Sequence, residues 1–220
     1  QLYDHDTRCF TEIPAYIEGR KFSQGVDVSC VARGCDGSLL VGTSGYGLFV
    51  LDCNSDSLAL VQDLELLPNC FYIEKLLFDK SGNLWVSTMN KGVFVLDPNR
   101  RIIANYTFDS SELCFSLIDA PDGCVYMGTS QGNLLRCDVS KQESDVVVSY
   151  RHLRSAVIDL QMADSVTIML GTDGNGLKLF NTVTGELHDY NLSLAGLDSR
   201  KLKVHSILRD NRMNLWLGCF

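Results

Sequence analysis

The chain has 220 residues, of which 45% are hydrophobic and 21% charged, with a formal net charge of −8. That is material for one sizeable core, and an all-β domain often reaches this length undivided. The acidic balance weighs against wrapping nucleic acid or an anionic membrane, because like charge repels the phosphates, and no run approaches the ~18 apolar residues of a membrane span.

The first residues, QLYDHDTRCFTEI, read as an apolar strand ending in Asp, a turn and an edge strand. They contain no basic segment followed by an apolar stretch, so no signal peptide is read there, and the chain does not begin with Met. Further along, VDVSCVAR precedes a turn and then DGSLLVGTSGYGLFVLD, and the same succession returns four times. CFYIEKLLFD leads into SGNLWVSTMNKGVFVLD, ELCFSLID into DGCVYMGTSQGNLLRCD, AVIDLQM into SVTIMLGTDGNGLKLFN, and VHSILRD into MNLWLGCF. Anchored on Thr43, Thr88, Thr129, Thr172 and Cys219, the copies are spaced by 45, 41, 43 and 47 residues. A period of ~40–50 residues with several short strands per unit predicts the blades of a propeller.

The columns of this repeat have physical meaning. Three before the anchor stand Leu40, Trp85, Tyr126, Met169 and Trp216; one before it stand Gly42, Ser87, Gly128, Gly171 and Gly218. Bulk at one position and none two further on, along one face of a strand, suits a sheet packed closely against a neighbour. Gly37, Gly82 and Gly123 share the column where a hairpin turn needs positive φ. Val166 and Met213 break it, so those two turns are expected to differ. A more polar edge strand closes each unit, as in LALVQD, IIANYTF, DVVVSY and ELHDYN. Helical periodicity is nearly absent, with short helical turns expected near SLAGLDSRK.

The predicted fold is therefore all-β, a propeller of four-stranded blades, about five in this chain. Its divisions are a half-blade at 1–20, blades at about 21–64, 65–108, 109–150 and 151–192, and a half-blade at 200–220. Both ends fall inside a repeat, which suggests a piece of a larger propeller; alternatively the two halves complete one blade and hide its edges.

Residue by residue, little chemistry stands out. The nine cysteines include no CxxC, and no His stands at metal spacing from a Cys pair, so no metal site and no cofactor are predicted. Most cysteines lie beside apolar runs, where Cys behaves as a small buried hydrophobe; one or two disulfides are open to it in an oxidising compartment. His5, His152, His188 and His205 are scattered. The loops GTSGYG, GTSQGN and GTDGNG are neither nucleophile elbows nor phosphate loops, and their recurrence argues for turns. Asp36, Asp79, Asp122, Asp164 and Asp210 fall near the first hairpin turn of each unit, where Asp caps by bonding nearby backbone. Trp85 and Trp216 share a repeat column and are expected between blades. No catalytic residue is assigned. The single candidate for ligand contact is Tyr46, an aromatic inside a turn and expected to be exposed.

The pattern D-x-x-G-N-L-W-[VI]-G-T-x-x-x-G-[LV] resembles the two-component regulator propeller repeat. DKSGNLWVSTMNKGVFVLD and DNRMNLWLG carry it best, and the third and fourth copies depart from it at Tyr126 and Met169. The resemblance covers nearly the whole chain. It implies the extracytoplasmic sensor region of a hybrid two-component histidine kinase, periplasmic, with a small-molecule or oligosaccharide ligand and self-association, and with a membrane reached only through other regions of the parent. No kinase motif occurs here. Two other readings compete: a lyase- or lactonase-type propeller enzyme, which needs His, Asp or Glu residues converging at the channel, and a protein-interaction scaffold.

Overall fold

The structure is a computed structural model that describes residues 2–17, 20–22, 25–34, 36–52, 57–60, 72–109, 111–141, 143–191 and 198–220. Two short hairpins open the chain: β1 (Leu2–Asp4) with β2 (Cys9–Thr11), and β3 (Ala15–Ile17) with β4 (Arg20–Lys21). The first blade follows as β5 (Val28–Arg33), β6 (Leu39–Thr43), β7 (Leu48–Asp52) and β8 (Ser57–Leu60). The second is β9 (Ile73–Phe78), β10 (Leu84–Thr88), β11 (Gly92–Leu96) and β12 (Ile102–Tyr106). The third is β13 (Cys114–Asp119), β14 (Val125–Thr129), β15 (Leu134–Asp138) and β16 (Glu143–Val148). The fourth is β17 (Val157–Met162), β18 (Thr167–Thr172), β19 (Leu177–Asn181) and β20 (Leu187–Asp189). A last hairpin, β21 (Val204–Arg209) and β22 (Leu215–Cys219), begins a fifth unit. Among the described residues helix is confined to single turns, α1 (Tyr150–Leu153) and a 3₁₀ turn at Ser199–Lys201; part of the segment where short helical turns are expected lies outside the described residues.

Within each blade the four strands pair antiparallel in chain order. The inner strands β5, β9, β13, β17 and β21 lie each against the next, so the sheets stand around a common axis as propeller blades. The first sheet departs from the repeat. The β3–β4 hairpin adds to its outer edge, β3 running parallel to β8 with Ala15 opposite Leu58, which makes six strands.

Every inner strand carries one extra residue near its start. Ser29, Glu74, Phe115, Ile158 and His205 are skipped by the register, so that Val28 and Cys30, for example, face the successive residues Thr43 and Gly42. A bulge of this kind sharpens the local twist of a strand.

Alternation along the middle strands divides their side chains between two neighbours. Trp85, Val93 and Val95 pack forward onto Cys114, Leu117 and Met127 of the third blade. Tyr126 and Leu134 pack onto Val157, Leu160 and Ile168 of the fourth, and Met169 and Leu177 onto Val204 and Ile207 of the last hairpin. Behind them, Leu40 and Leu48 meet Ile73 and Leu76. The small column is what permits this approach. A Cβ added to Gly42 would stand 2.7 Å from Ile73 Cγ2, one on Gly128 2.5 Å from Val157 Cγ1, and one on Gly171 2.7 Å from the Val204 carbonyl oxygen. The second copy has Ser87 instead, and its hydroxyl turns the contact into a bond by donating to the Cys114 carbonyl at 2.7 Å.

The hairpin turns correct one expectation. Gly37, Gly82 and Gly123 have φ between 80° and 84°, as their column requires, but Met213 adopts φ 68° and closes the same turn, with its N–H donating to the Asp210 carbonyl. Only the turn at Val166 differs: there the backbone N–H groups of Val166 and Thr167 donate to the Asp164 carboxylate. The described cysteines, Cys9, Cys30, Cys114, Cys124, Cys137 and Cys219, are free thiols.

Candidate functional site

The Asp residues near the turns are structural, and they do more than cap backbone. Asp79 accepts from the backbone N–H groups of Ser81 and Asn83, from the Asn83 side chain, and from Trp85 Nε1 at 2.9 Å. Asp210 repeats the set with Arg212, Asn214 and Trp216 Nε1, also at 2.9 Å. In the third copy the residue that opens the turn is Ala120, and Asp122 lies two further on. Its carboxylate still reaches the aromatic of the large column, accepting from the Tyr126 hydroxyl at 2.9 Å. The first copy has its Asp at the same place, Asp36 two residues after Gly34, and there it accepts from the Ser38 backbone and hydroxyl. The bonds from the aromatics tie the turn to the inter-blade layer and leave these rings no part in ligand binding through their polar edges.

The anchor Thr is the clasp of the opposite loop. Thr43, Thr88 and Thr172 each donate to the carbonyl four residues on, at 2.7, 2.8 and 2.6 Å, and accept from the backbone N–H three residues on. Each loop is also pinned to the residue leading into an inner strand: Ser44 N–H donates to Asp27 O, Met89 to Tyr72 O, Ser130 to Leu113 O, Asp173 to Ala156 O and Phe220 to Lys203 O. Four loops, Phe220 after the fifth anchor and five lead-in segments therefore gather on one rim around the common axis. The clasp holds the backbone, so the side chains between its ends are free to differ. They do: Ser-Gly-Tyr, Met-Asn-Lys, Ser-Gln-Gly and Asp-Gly-Asn follow the four Thr anchors.

This rim is the candidate site. Its exposed large side chains are Tyr72, Met89 and Phe220. Tyr46 stands on it but is half-buried, not exposed; its ring packs edge-on against Phe22 of the N-terminal segment with centroids 4.7 Å apart. A Cβ on Gly45 would stand 3.9 Å from the Tyr72 ring, so Tyr72 lies over the same loop. Between the second and third blades the rim opens into a cleft of about 270 Å³, with Met89 and Phe108 beside Asn90, Lys91, Asn105 and Glu112.

Two charged contacts join blades that are distant in sequence. Lys75 of β9 and Asp159 of β17 approach to 3.8 Å although the third blade lies between theirs, which places the pair beside the common axis. Asp159 also accepts the Ile207 N–H of β21 at 2.8 Å. On the rim, Asp173 holds Lys203 at 2.8 Å and His205 Nε2 at 3.5 Å, and the His205 ring meets Phe220 edge-on. The hydrogen bond from Lys203 keeps the Asp173 carboxyl below the usual aspartate range. The other histidines lie elsewhere: His5 against Tyr3, His152 beside Ser149, and His188 beside Glu186. Among the described residues no group of three or more His, Cys, Asp or Glu is placed to hold a metal ion. Sequence reasoning missed Lys75, Asp159 and Asp173, because none of them recurs and their partners come from other blades.

Solved propellers share this fold. The extracellular domain of BT4673 from B. thetaiotaomicron, assigned as a hybrid two-component system, matches with a TM-score of 0.70 and 24% identity over 91% of this chain and 27% of that one. The extracellular domain of BT3049 from the same organism, assigned likewise, matches with 0.75 and 15% identity over 99% and 29%. Virginiamycin B lyase from Staphylococcus aureus, as a catalytically inactive variant with quinupristin, matches with 0.67 and 13% identity over 89% and 64%. The chain spans less than a third of the length of the two extracellular domains. Neither a family model nor a curated protein matches the sequence. At these identities the likeness establishes the fold, a β-propeller.

Proposed function

We propose that this chain is an extracytoplasmic ligand-sensing module of a hybrid two-component sensor, periplasmic, and that it performs no catalysis itself. The observation that carries the reading is its likeness, over 91% and 99% of its length, to the extracellular domains of two proteins assigned as such systems. The GNLW–GT–GL repeat adds to it. Kinase activity and the membrane anchor belong, in this reading, to other regions of the parent protein.

The ligand is a carbohydrate-derived molecule, and it binds on the rim where the loops differ between blades. The chemistry suits a sugar: exposed apolar faces at Tyr72 and Met89 for C–H surfaces, and Asn90, Lys91 and Glu112 around the cleft for hydroxyl groups. The Thr88 clasp fixes the backbone that carries Met89, Asn90 and Lys91, so less of it is left to order on binding. Signalling then follows from changed packing between sensor domains, and a ligand drives it only as far as it prefers one arrangement.

The test is a thermal-shift screen of the chain against plant and host oligosaccharides, repeated on Tyr72→Ala and Met89→Ala. At least one sugar class raises the melting temperature of the wild type and not of the variants. A panel that leaves the wild type unmoved overturns the carbohydrate reading. A lyase-type propeller is the second reading, supported by the Asp173–His205 contact at the rim and the shared fold of virginiamycin B lyase; a substrate converted by the wild type and spared by His205→Ala would favour it.

A further inference from the structure

In every inner strand one residue pairs with the small column, and these five stand at one level below the rim: Cys30, Lys75, Ser116, Asp159 and Ser206. Three of them are small. Ser116 shows what the fold asks of this position. It is fully buried, its hydroxyl donates to the Val157 carbonyl of the next blade at 3.4 Å, and a Cβ on Gly128 would stand 2.4 Å from that hydroxyl. Nothing in such packing calls for charge. Yet the second and fourth blades place a lysine and an aspartate here, in blades that each have a neighbour on both sides within the chain. Their side chains are only 37% and 17% exposed, and drawing charge out of water is costly unless the pairing is close.

The pairing is loose. Asp159 Oδ2 accepts the Ile207 N–H at 2.8 Å. Asp159 Oδ1 and Lys75 Nζ stand 3.8 Å apart, beyond the range of about 2.7–3.2 Å for such a hydrogen bond, and neither atom bonds to any other described residue. We propose that this axial pair is a subsite for one hydroxyl group of a neutral sugar, entered from the rim. An oxygen about 2.8 Å from both atoms completes a triangle on the 3.8 Å base. It accepts from Lys75 Nζ and donates to Asp159 Oδ1, which a hydroxyl does with a single oxygen. A carboxylate or sulfate drawn to Lys75 meets the Asp159 charge, and an ammonium drawn to Asp159 meets Lys75, so acidic and amino sugars are rejected. Tyr72 of the rim lies three residues before Lys75, at most about 10 Å along the strand, and its carbonyl accepts the Met89 N–H. A sugar ring laid on Tyr72 and Met89 therefore has a neighbouring unit within reach of the pair. This subsite rests on the carbohydrate reading and adds the class of sugar to it.

The test is calorimetric titration of the whole chain with neutral disaccharides (cellobiose, maltose, xylobiose, mannobiose), with digalacturonate and a heparin disaccharide, and with the chitosan dimer. At least one neutral probe binds, and more tightly than any charged one. The double variant Lys75→Ser with Asp159→Ser gives these blades the residue of the third and fifth. It melts at or above the wild-type temperature and binds that neutral probe at least about tenfold more weakly. Asp159→Asn, which keeps the shape and the acceptor for Ile207, shows the same loss and decides the matter if the double variant fails to fold. A neutral probe that binds Asp159→Asn as tightly as the wild type overturns the subsite and leaves the carbohydrate reading standing. So does a charged disaccharide as the tightest probe. A panel in which nothing binds overturns the carbohydrate reading and the subsite with it.

Discussion

Trp85 and Trp216 form a matched pair on which the role of inter-blade packing can be measured. They occupy one repeat column, and each indole donates to the opening Asp of its turn at 2.9 Å. Only their burial differs, 0% exposed against 61%. A fully buried Trp takes about 200 Å² out of water, which at about 25 cal/mol per Å² is worth roughly 5 kcal/mol. The stacked contact with Tyr106, at 5.7 Å and 3° between rings, adds about 0.5–1.5 kcal/mol. Trp216 buries roughly two-fifths of its surface, worth about 2 kcal/mol on the same scale. The lost hydrogen bond is part-buried at Asp79 and exposed at Asp210, so it widens the difference rather than narrowing it. Trp85→Ala should therefore cost about 4 kcal/mol more than Trp216→Ala, with the whole Trp85→Ala loss at or just above the upper end of the ~3–5 kcal/mol seen for such truncations. Urea unfolding followed by far-ultraviolet circular dichroism, at a dilution where the chain is monomeric, measures both. Losses equal within about 1 kcal/mol would refute the assignment of the large column to inter-blade packing.

Three further outcomes follow from individual contacts. The Tyr106 hydroxyl is buried with no hydrogen-bond partner among the described residues, and burial pushes its pKa up to about 12; Tyr106→Phe should leave stability unchanged or raise it by up to about 1 kcal/mol in urea unfolding. Gly128→Ala drives a methyl group against Ser116 and Val157 and should cost about 1–3 kcal/mol, while Gly218→Ala, with no following blade to meet, should stay within about 0.5 kcal/mol. Asp210 is held down to about 2, first by the bond from Trp216 and then by that from the Asn214 side chain. A depressed carboxyl contributes its stability fully above the ordinary aspartate range near ~3.9, and that contribution is lost as pH falls from there towards about 2. The urea midpoint of the wild type should fall across that window, and Asp210→Asn should flatten the fall.

Most of the architecture was legible because it is repeated. The anchor Thr, the large and small columns and the turn glycines each stated one physical requirement several times, and the structure places them at clasps, inter-blade layers and positive-φ turns, except that Trp216, expected between blades, is 61% exposed. The lines that went astray depend on contacts that occur once. Tyr46 lies where an exposed turn residue belongs, but Phe22 from the N-terminal segment packs on it. The β3–β4 hairpin joins the first blade in parallel, a pairing with no period to announce it. Met213 reads as a break in the glycine column, yet the Asp210 carboxylate accepts from the N–H groups on either side of it, Arg212 and Asn214, and the turn closes as it does at Gly82. The rim is the extreme case. Its loops are legible as loops, but the side chains that distinguish one blade from another carry no internal comparison, and Lys75, Asp159 and Asp173 find partners only once the blades stand around the axis.

The most direct measurement of the sensing account is calorimetric titration of the chain with the oligosaccharide that stabilises it most, followed by analysis of the recovered sugar. The account predicts saturable binding at one site per chain, lost in Tyr72→Ala or Met89→Ala, with the sugar recovered unchanged. Binding that survives both substitutions would contradict the rim as the site, and a cleaved or rearranged sugar would contradict a module that senses without catalysis.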